Sequence, residues 1–233
     1  FFWHDSAMMP RTPLPPSISC VIPAFNEARN LGMVVPRILT TLASLSDRIE
    51  LIVVDDGSRD DTTQVMQSLR AAHPNLVYLK LSRNFGKEPA LTAGIDAARG
   101  DVVFLMDADG QHPVELLPEM LEKWHAGSDV VYAVRKTRDD QSGLQVSLTG
   151  LFYTLVNYGN RVKIPANAGD FRLMDRKVVD ALKRLPERNR FMKGLYAWVG
   201  FQSTAIDYQP LPRADGLSNF GLRGSLSLAL TGM

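Results

Sequence analysis

One cysteine, no long apolar run and no surplus of either charge characterise this chain of 233 residues, and each absence excludes something. Cys20 has no partner for an internal disulfide. Inside the apolar run from Ile18 to Ile22 it reads as a buried, reduced thiol, which suits a reducing compartment. No stretch reaches the ~18 apolar residues that a membrane span requires. Lys and Arg number 26 against 25 Asp and Glu. The resulting net charge of +1 offers no global field to nucleic acid, which is excluded as a partner. No Gly-x-Gly-x-x-Gly follows the first apolar run and no Walker loop occurs anywhere, so dinucleotide and P-loop sites are disfavoured. Internal repeats are absent too.

What is present is an ordinary globular composition, 45% hydrophobic and 22% charged, sized for one large domain. Residues 1–17 carry Pro10, Pro13, Pro15 and Pro16 without apolar period and read as a flexible tail. Phe1 stands where Met would begin a chain, and Leu226, Leu228, Ala229 and Leu230 turn apolar just as it stops. The expectation is a segment of something longer.

From Ile18 the pattern alternates. Short apolar runs at 18–22, 49–54, 76–81, 101–106 and 129–134 read as buried strands. Between them fall apolar residues at helical spacing: Leu31, Val34, Val35, Ile38, Leu39 and Leu42; Val65, Met66 and Leu69; Leu91, Ile95 and Ala98; Val114, Leu117, Leu121 and Trp124. Strands alternating with amphipathic helices predict an α/β fold, a mostly parallel sheet with helices on both faces. Ligands of such sheets collect beyond the carboxyl ends of the strands. After residue 134 the order loosens: a helix about Leu148, Leu151, Phe152 and Leu155, the string NAGDFRLMDR (167–176), a helix near 177–185, and the apolar FMKGLYAWVGF (191–201). Leu222, Leu226, Ala229 and Leu230 share a final helical face. Trp124 and Trp198 read as core residues.

Three strand ends carry polar clusters: PAFNE (23–27), DDGSRDDT (55–62) and DADGQHP (107–113). Helix capping explains part of the second, since Asp60 and Thr62 are N-cap types. The third needs more. Asp107 and Asp109 crowd two carboxylates directly after a buried strand, which is costly unless a hard cation bridges them. Carboxylate oxygens with a diphosphate are the ligands that Mg²⁺ or Mn²⁺ prefers. His112, beside them, is expected to support the site without ligating.

Those clusters, as ISCVIPAFNEARNL, VVDDGSRDDT and DADGQHP, resemble the inverting nucleotide-sugar glycosyltransferases of the GT-A (Rossmann-like) fold. SRNFGKEPALTAGIDAARGD (82–101), GDFRLMDRKVV (169–179) and LPERNRFMKGLYAWVG (185–200) resemble the bactoprenol (undecaprenyl-phosphate) glucosyltransferase branch, to which dolichol-phosphate mannose synthases are related. The resemblance covers about residues 18–230. It implies a catalytic domain at 18–212, an acceptor-site segment with an amphipathic juxtamembrane helix at 213–233, and transmembrane helices beyond the chain end. Pro23, Phe25, Glu27, Asp56, Lys87, Asp107 and Ala108 would hold the nucleotide sugar. Asp107, Asp109 and Gln111 would hold the metal, with Asp109 and Asp170 as catalytic residues. Arg135, Arg138, Arg213 and Ser218 would receive the lipid phosphate, a role that the guanidinium fork suits. The implied reaction moves glucose from UDP-glucose to undecaprenyl phosphate for modification of cell-surface glycans. A homo-oligomer at the cytoplasmic face of the inner membrane is implied with it.

Two departures from that branch fall on basic positions: GLQVS at 143–147 carries no charge, and Asn219 stands in the place of a Lys. No Q-x-x-R-W follows Asp170, which argues against a processive polysaccharide synthase. Two other readings stay open on the residues alone: a related transferase using GDP-mannose or a UDP-amino sugar, and a binding module that keeps the fold without catalysis.

Overall fold

The computed structural model describes residues 15–136, 168–187 and 192–212. The expected helices around Leu148–Leu155 and over 222–230, the uncharged 143–147 stretch, Arg138, Arg213, Ser218 and Asn219 lie outside them.

The first half alternates as its apolar periods predict: β1 (Ile18–Ala24), α1 (Ala28–Leu45), β2 (Ile49–Asp55), α2 (Thr62–Ala72), β3 (Leu76–Lys80), α3 (Lys87–Ala97), β4 (Val102–Leu105), α4 (Leu117–His125) and β5 (Val130–Arg135). Then come β6 (Ala168–Asp175), α5 (Arg176–Lys183), α6 (Met192–Trp198) and β7 (Ser203–Tyr208). Every residue of β1 is buried, because helices cover the sheet on both faces. In α1 the buried set includes all six apolar residues read at helical spacing.

The seven strands are ordered β3-β2-β1-β4-β6-β5-β7. β6 runs antiparallel to both its neighbours, while every other pairing is parallel. The sheet is therefore mixed at one position. Neither β6 nor β7 is legible as a strand. Gly169, Asp170, Arg172 and Asp175 break the apolar run of β6, and β7 buries only Ile206.

One core layer joins α1 and α4 to the sheet through Leu31, Ile38, Leu117, Phe104 and Phe171. The other joins α3, α5 and α6 through Leu91, Ile95, Val178, Met192 and Met174. Side chains alternate across a strand, so Phe171 and Leu173 enter the first layer while Met174 enters the second. Cys20 is fully buried, and burial pushes its thiol up, as an inert core cysteine requires. Trp124 is core, its indole N–H donating to Asp175 Oδ2 at 2.8 Å. Trp198 corrects the expectation: 57% of it is exposed. Met192 and Tyr196, four apart, define the buried face of α6, and Trp198 falls off that face. Two residues read as part of the tail are instead held by the domain. Pro16 is buried, and Ser17 donates through N and Oγ to Asp101 Oδ2 at 2.8 and 2.7 Å. Among the described residues no helix is long and apolar enough to cross a membrane.

Candidate active site

β2, β1 and β4 lie side by side and parallel, so the loops that follow them leave from one edge. The order turns at β1, with β2 on one side and β4 on the other, which opens a crevice there. Pro23, last but one in β1, lies opposite Val54, Phe25 is half-buried, and Glu27 stands at the start of α1 with Oε2 accepting Asn30 Nδ2 at 2.5 Å. Asn26 takes a left-handed φ of 56°, which Asn tolerates better than most residues. There its N–H donates to Ser58 Oγ and its Oδ1 accepts Arg59 N–H, both at 2.9 Å, locking the first loop to the second. Asp60 joins them again, accepting Ala28 N–H at 3.2 Å and the Thr62 hydroxyl at 2.6 Å. The N-cap position of α2 is Asp61, so Asp60 and Thr62 flank the cap instead of forming it, and Asp60 ties the starts of two helices together.

Asp56, expected against base and ribose, is only 3% exposed. Its two oxygens accept the N–H groups of Phe85 and Gly86 at 2.7 and 2.8 Å, so it faces the protein. Burial holds its carboxyl above the ordinary range despite those bonds. Its clamp fixes the turn that launches α3, whose first residue is Lys87.

Lys87 Nζ lies 2.6 Å from Asp107 Oδ1 and 2.7 Å from Asp170 Oδ2. One ammonium thus joins the end of β4 to β6. Burial opposes all three charges. The ammonium nevertheless holds the Asp107 carboxyl below its usual range and brings Asp170 down to about 2, while the two carboxylates raise Lys87. Beside them His112 is buried and accepts Asp107 N–H through Nδ1 at 3.0 Å. Burial lowers its pKa, which matches the neutral ring that this bond demands. Its ring stacks on Phe171 with centroids 4.6 Å apart. His112 thus holds the start of the acidic loop.

Asp109 Oδ1 accepts Gln111 N–H at 3.0 Å across Gly110, whose φ is +74°. Ala108 between the two acids is buried. Gln111 pairs its backbone with Leu211, Leu211 N–H donating to Gln111 O at 3.0 Å, and its amide makes a long 3.5 Å contact to Leu211 O. Gln111 therefore chiefly ties residues near 211 to the acidic loop. Arg135 ends β5 in register with Tyr208, which packs edge-on against His112. The edge thus gathers Pro23, Phe25, Glu27, Lys87, Asp107, Asp109, Gln111, Asp170 and Arg135.

The described residues contain no cluster of three or more His, Cys, Asp or Glu side chains poised around a metal. Asp107 and Asp109 supply a partial ligand set, which fits a small hard cation that shares its coordination with substrate phosphates.

Behind Asp170 lies a layer that sequence reasoning missed. Arg172 is 4% exposed, donates through Nη2 to Gly169 O at 2.7 Å, and places its guanidinium carbon 3.6 Å above the Tyr196 ring. Glu88, next to Lys87, accepts Met192 N–H at 3.2 Å and so joins α3 to α6. The period of two in GDFRLMD could have signalled Arg172 on the Asp170 face. Nothing local marks Glu88, since KEPAL is an ordinary helix start.

Burial, then the Asp170 charge, raise the Glu88 pKa from 4.5 to about 7. The folded chain therefore binds this proton more tightly than the unfolded one. Stability from the group is complete below 4.5 and is lost as pH rises through about 7, at most about 3 kcal/mol. Glu88→Gln keeps an acceptor for Met192 and removes the titration. The variant is expected to be more stable than the parent at pH 8 and no more stable at pH 4.5. Urea unfolding at both values checks this, and equal gains at both would contradict it.

A mostly parallel sheet with acidic loops at its switch point is the architecture of the GT-A glycosyltransferases. The fold matches the mannosyltransferase PcManGT from Pyrobaculum calidifontis, solved with GDP-Man and Mn²⁺, at a TM-score of 0.60. Identity there is 19%, covering 98% of this chain and 63% of that one. Glucosyl-3-phosphoglycerate synthase from Mycobacterium tuberculosis, solved with Mn²⁺, UDP-glucose and phosphoglyceric acid, gives 0.57 at 20% identity, covering 92% and 76%. The profile of glycosyl transferase family 2 matches residues 19–183. An uncharacterized glycosyltransferase of Synechocystis sp. is 44% identical over 221 residues, covering 91% of this chain and 70% of the relative. The bactoprenol glucosyl transferase of Shigella phage SfV is 41% identical over 216 residues, covering 93% and 70%. The chain belongs to glycosyl transferase family 2 and is an enzyme, a hexosyltransferase.

Proposed function

We propose that this chain moves glucose from UDP-glucose to a polyprenyl phosphate, undecaprenyl phosphate in kind, with inversion at the anomeric carbon. The observation that carries the reading is Asp170, mostly enclosed, sharing the Lys87 ammonium with Asp107 and held ionised by it. A carboxylate titrating near 2 is a poor base, and a lipid phosphate needs no deprotonation to attack. Asp170 therefore orients the sugar or the acceptor. The acceptor phosphate oxygen bonds to the anomeric carbon as the bond to the UDP oxygen breaks, and that electron pair leaves with UDP.

Asp107 and Asp109 would hold Mg²⁺ or Mn²⁺, with Gln111 in support. The cation, when bound, would neutralise charge on the departing diphosphate. Pro23, Phe25, Glu27 and Ala108 would border the nucleotide, and Asp56 would act through the turn it clamps. Arg135 at the same edge, with Arg138, Arg213 and Ser218, would meet the lipid phosphate. The 41% identity to a bactoprenol glucosyl transferase supports the glucosyl group and the acceptor, and two fold neighbours solved with Mn²⁺ support the metal. A lipid acceptor implies work at a membrane surface, the cytoplasmic face of the inner membrane.

The test is nucleotide release from UDP-glucose, GDP-mannose and a UDP-amino sugar, each with Mn²⁺ and a short polyprenyl phosphate. Release should be greatest with UDP-glucose, require the lipid and stop with chelator. Release from another donor alone would overturn the sugar assignment. Lipid-independent release would overturn the acceptor.

A further inference from the structure

Lys87 is the group whose position asks for more than nucleotide binding. Its ammonium is shared between two carboxylates of different work: Asp107 Oδ1 at 2.6 Å and Asp170 Oδ2 at 2.7 Å. Its backbone is held as well. The Asp56 carboxylate grips the two preceding N–H groups, and Gly86 gives the turn a φ of +103°. The base of the side chain is thus fixed, while the four-carbon stem leaves the ammonium able to swing.

We propose that Lys87 is a positioning residue that serves as an internal cation, competing with a divalent metal for Asp107 and passing wholly to Asp170 when metal and diphosphate arrive. This rests on the reading that Asp107 and Asp109 hold the metal. A divalent ion bonded to Asp107 and an ammonium on the same carboxylate repel strongly at such short range. The ammonium must therefore leave Asp107. The anion that retains it is Asp170, already in contact, whose buried charge would be costly if left alone. Donor loading at β4 is thereby felt at β6 as a change in the partner of Asp170. The incoming diphosphate adds negative charge on the vacated side, so metal and nucleotide should bind with mutual reinforcement.

Mn²⁺ titrations of the purified chain, read by the paramagnetic resonance of the free ion, test this with and without UDP. For the parent, UDP should tighten Mn²⁺ binding. Lys87→Met should tighten Mn²⁺ binding in the absence of UDP by roughly tenfold and shrink the gain from UDP. Asp170→Asn should weaken Mn²⁺ binding several-fold, because Lys87 then rests on Asp107 alone. The double variant decides between this exchange and simple long-range charge effects. If Lys87 carries the message, Asp170→Asn has little effect in the Lys87→Met background. Additive effects overturn the exchange while leaving the metal site standing. Failure of the parent to bind Mn²⁺ even with UDP overturns the metal site and this proposal together. Lys87→Gln replaces Lys87→Met should the latter not fold, with the same outcomes.

Discussion

Replacing Asp109 with Asn should cut transfer at least about a hundredfold, in line with the loss of one preorganised charge at a leaving group. The fold should be nearly untouched. Asp109 is only partly buried, and the bond that shapes its loop is made by Oδ1 to Gln111 N–H at 3.0 Å, which the Asn side chain oxygen can reproduce. What the substitution removes is charge, one of two adjacent carboxylates proposed to hold the metal. Nucleotide release measured beside a thermal melt checks both halves. A melting temperature within about 2 °C of the parent, with activity nearly gone, is the expected pair. Activity that survives the substitution in chelator-treated buffer would refute the metal assignment.

The second large effect is on packing. Gly94 lies in α3 where the helix meets β1 and β2, and a Cβ there would fall 2.2 Å from Val21 Cγ1 and 3.1 Å from Val54 Cγ2. Helix propensity favours Ala over Gly by about 1 kcal/mol, so an exposed site would gain. Here the clash outweighs it. Val21 is fully buried and β-branched, so it cannot turn away, and α3 must lift from the sheet at a cost of about 3 kcal/mol or more. Gly94→Ala should therefore lower the melting temperature by roughly 4–8 °C in net. Lys87 and Glu88 sit at the first turn of the same helix, so transfer should fall as well. Calorimetry and the transfer assay check this, and a stabilised variant would show that the helix stands farther off than the structure has it.

Much of the fold was legible because its first half obeys local rules. ISCVI, IELIVV and DVVFLM are apolar at all but one position each since both sheet faces are covered, and the helical faces between them recur at the spacing that core packing demands. The acidic loops were legible for a related reason: a parallel sheet sends the ends of its strands to one edge. β6 and β7 were not. The strand that holds Asp170 is antiparallel between two parallel neighbours, and its Asp170 and Asp175 find their partners, Lys87 and Trp124, on other elements. Trp198 misled for want of a helical phase, which Met192 and Tyr196 define only once α6 is seen.

By itself, then, the order of residues determined the alternation of strands and helices, the edge where chemistry gathers, the carboxylates Asp107 and Asp109, and membership of the family through long strings such as GDFRLMDRKVV. These follow from neighbours in the chain, where period and spacing act. The tertiary structure decided which charges meet. Lys87 reaches Asp107 and Asp170 across 20 and 83 positions of sequence, Glu88 reaches Met192 across 104, and Asp56 turns inward to Phe85 and Gly86. Pairings of that kind depend on strand order and on burial, which raises the cost of every unpaired charge, and neither is written in any one stretch of the chain.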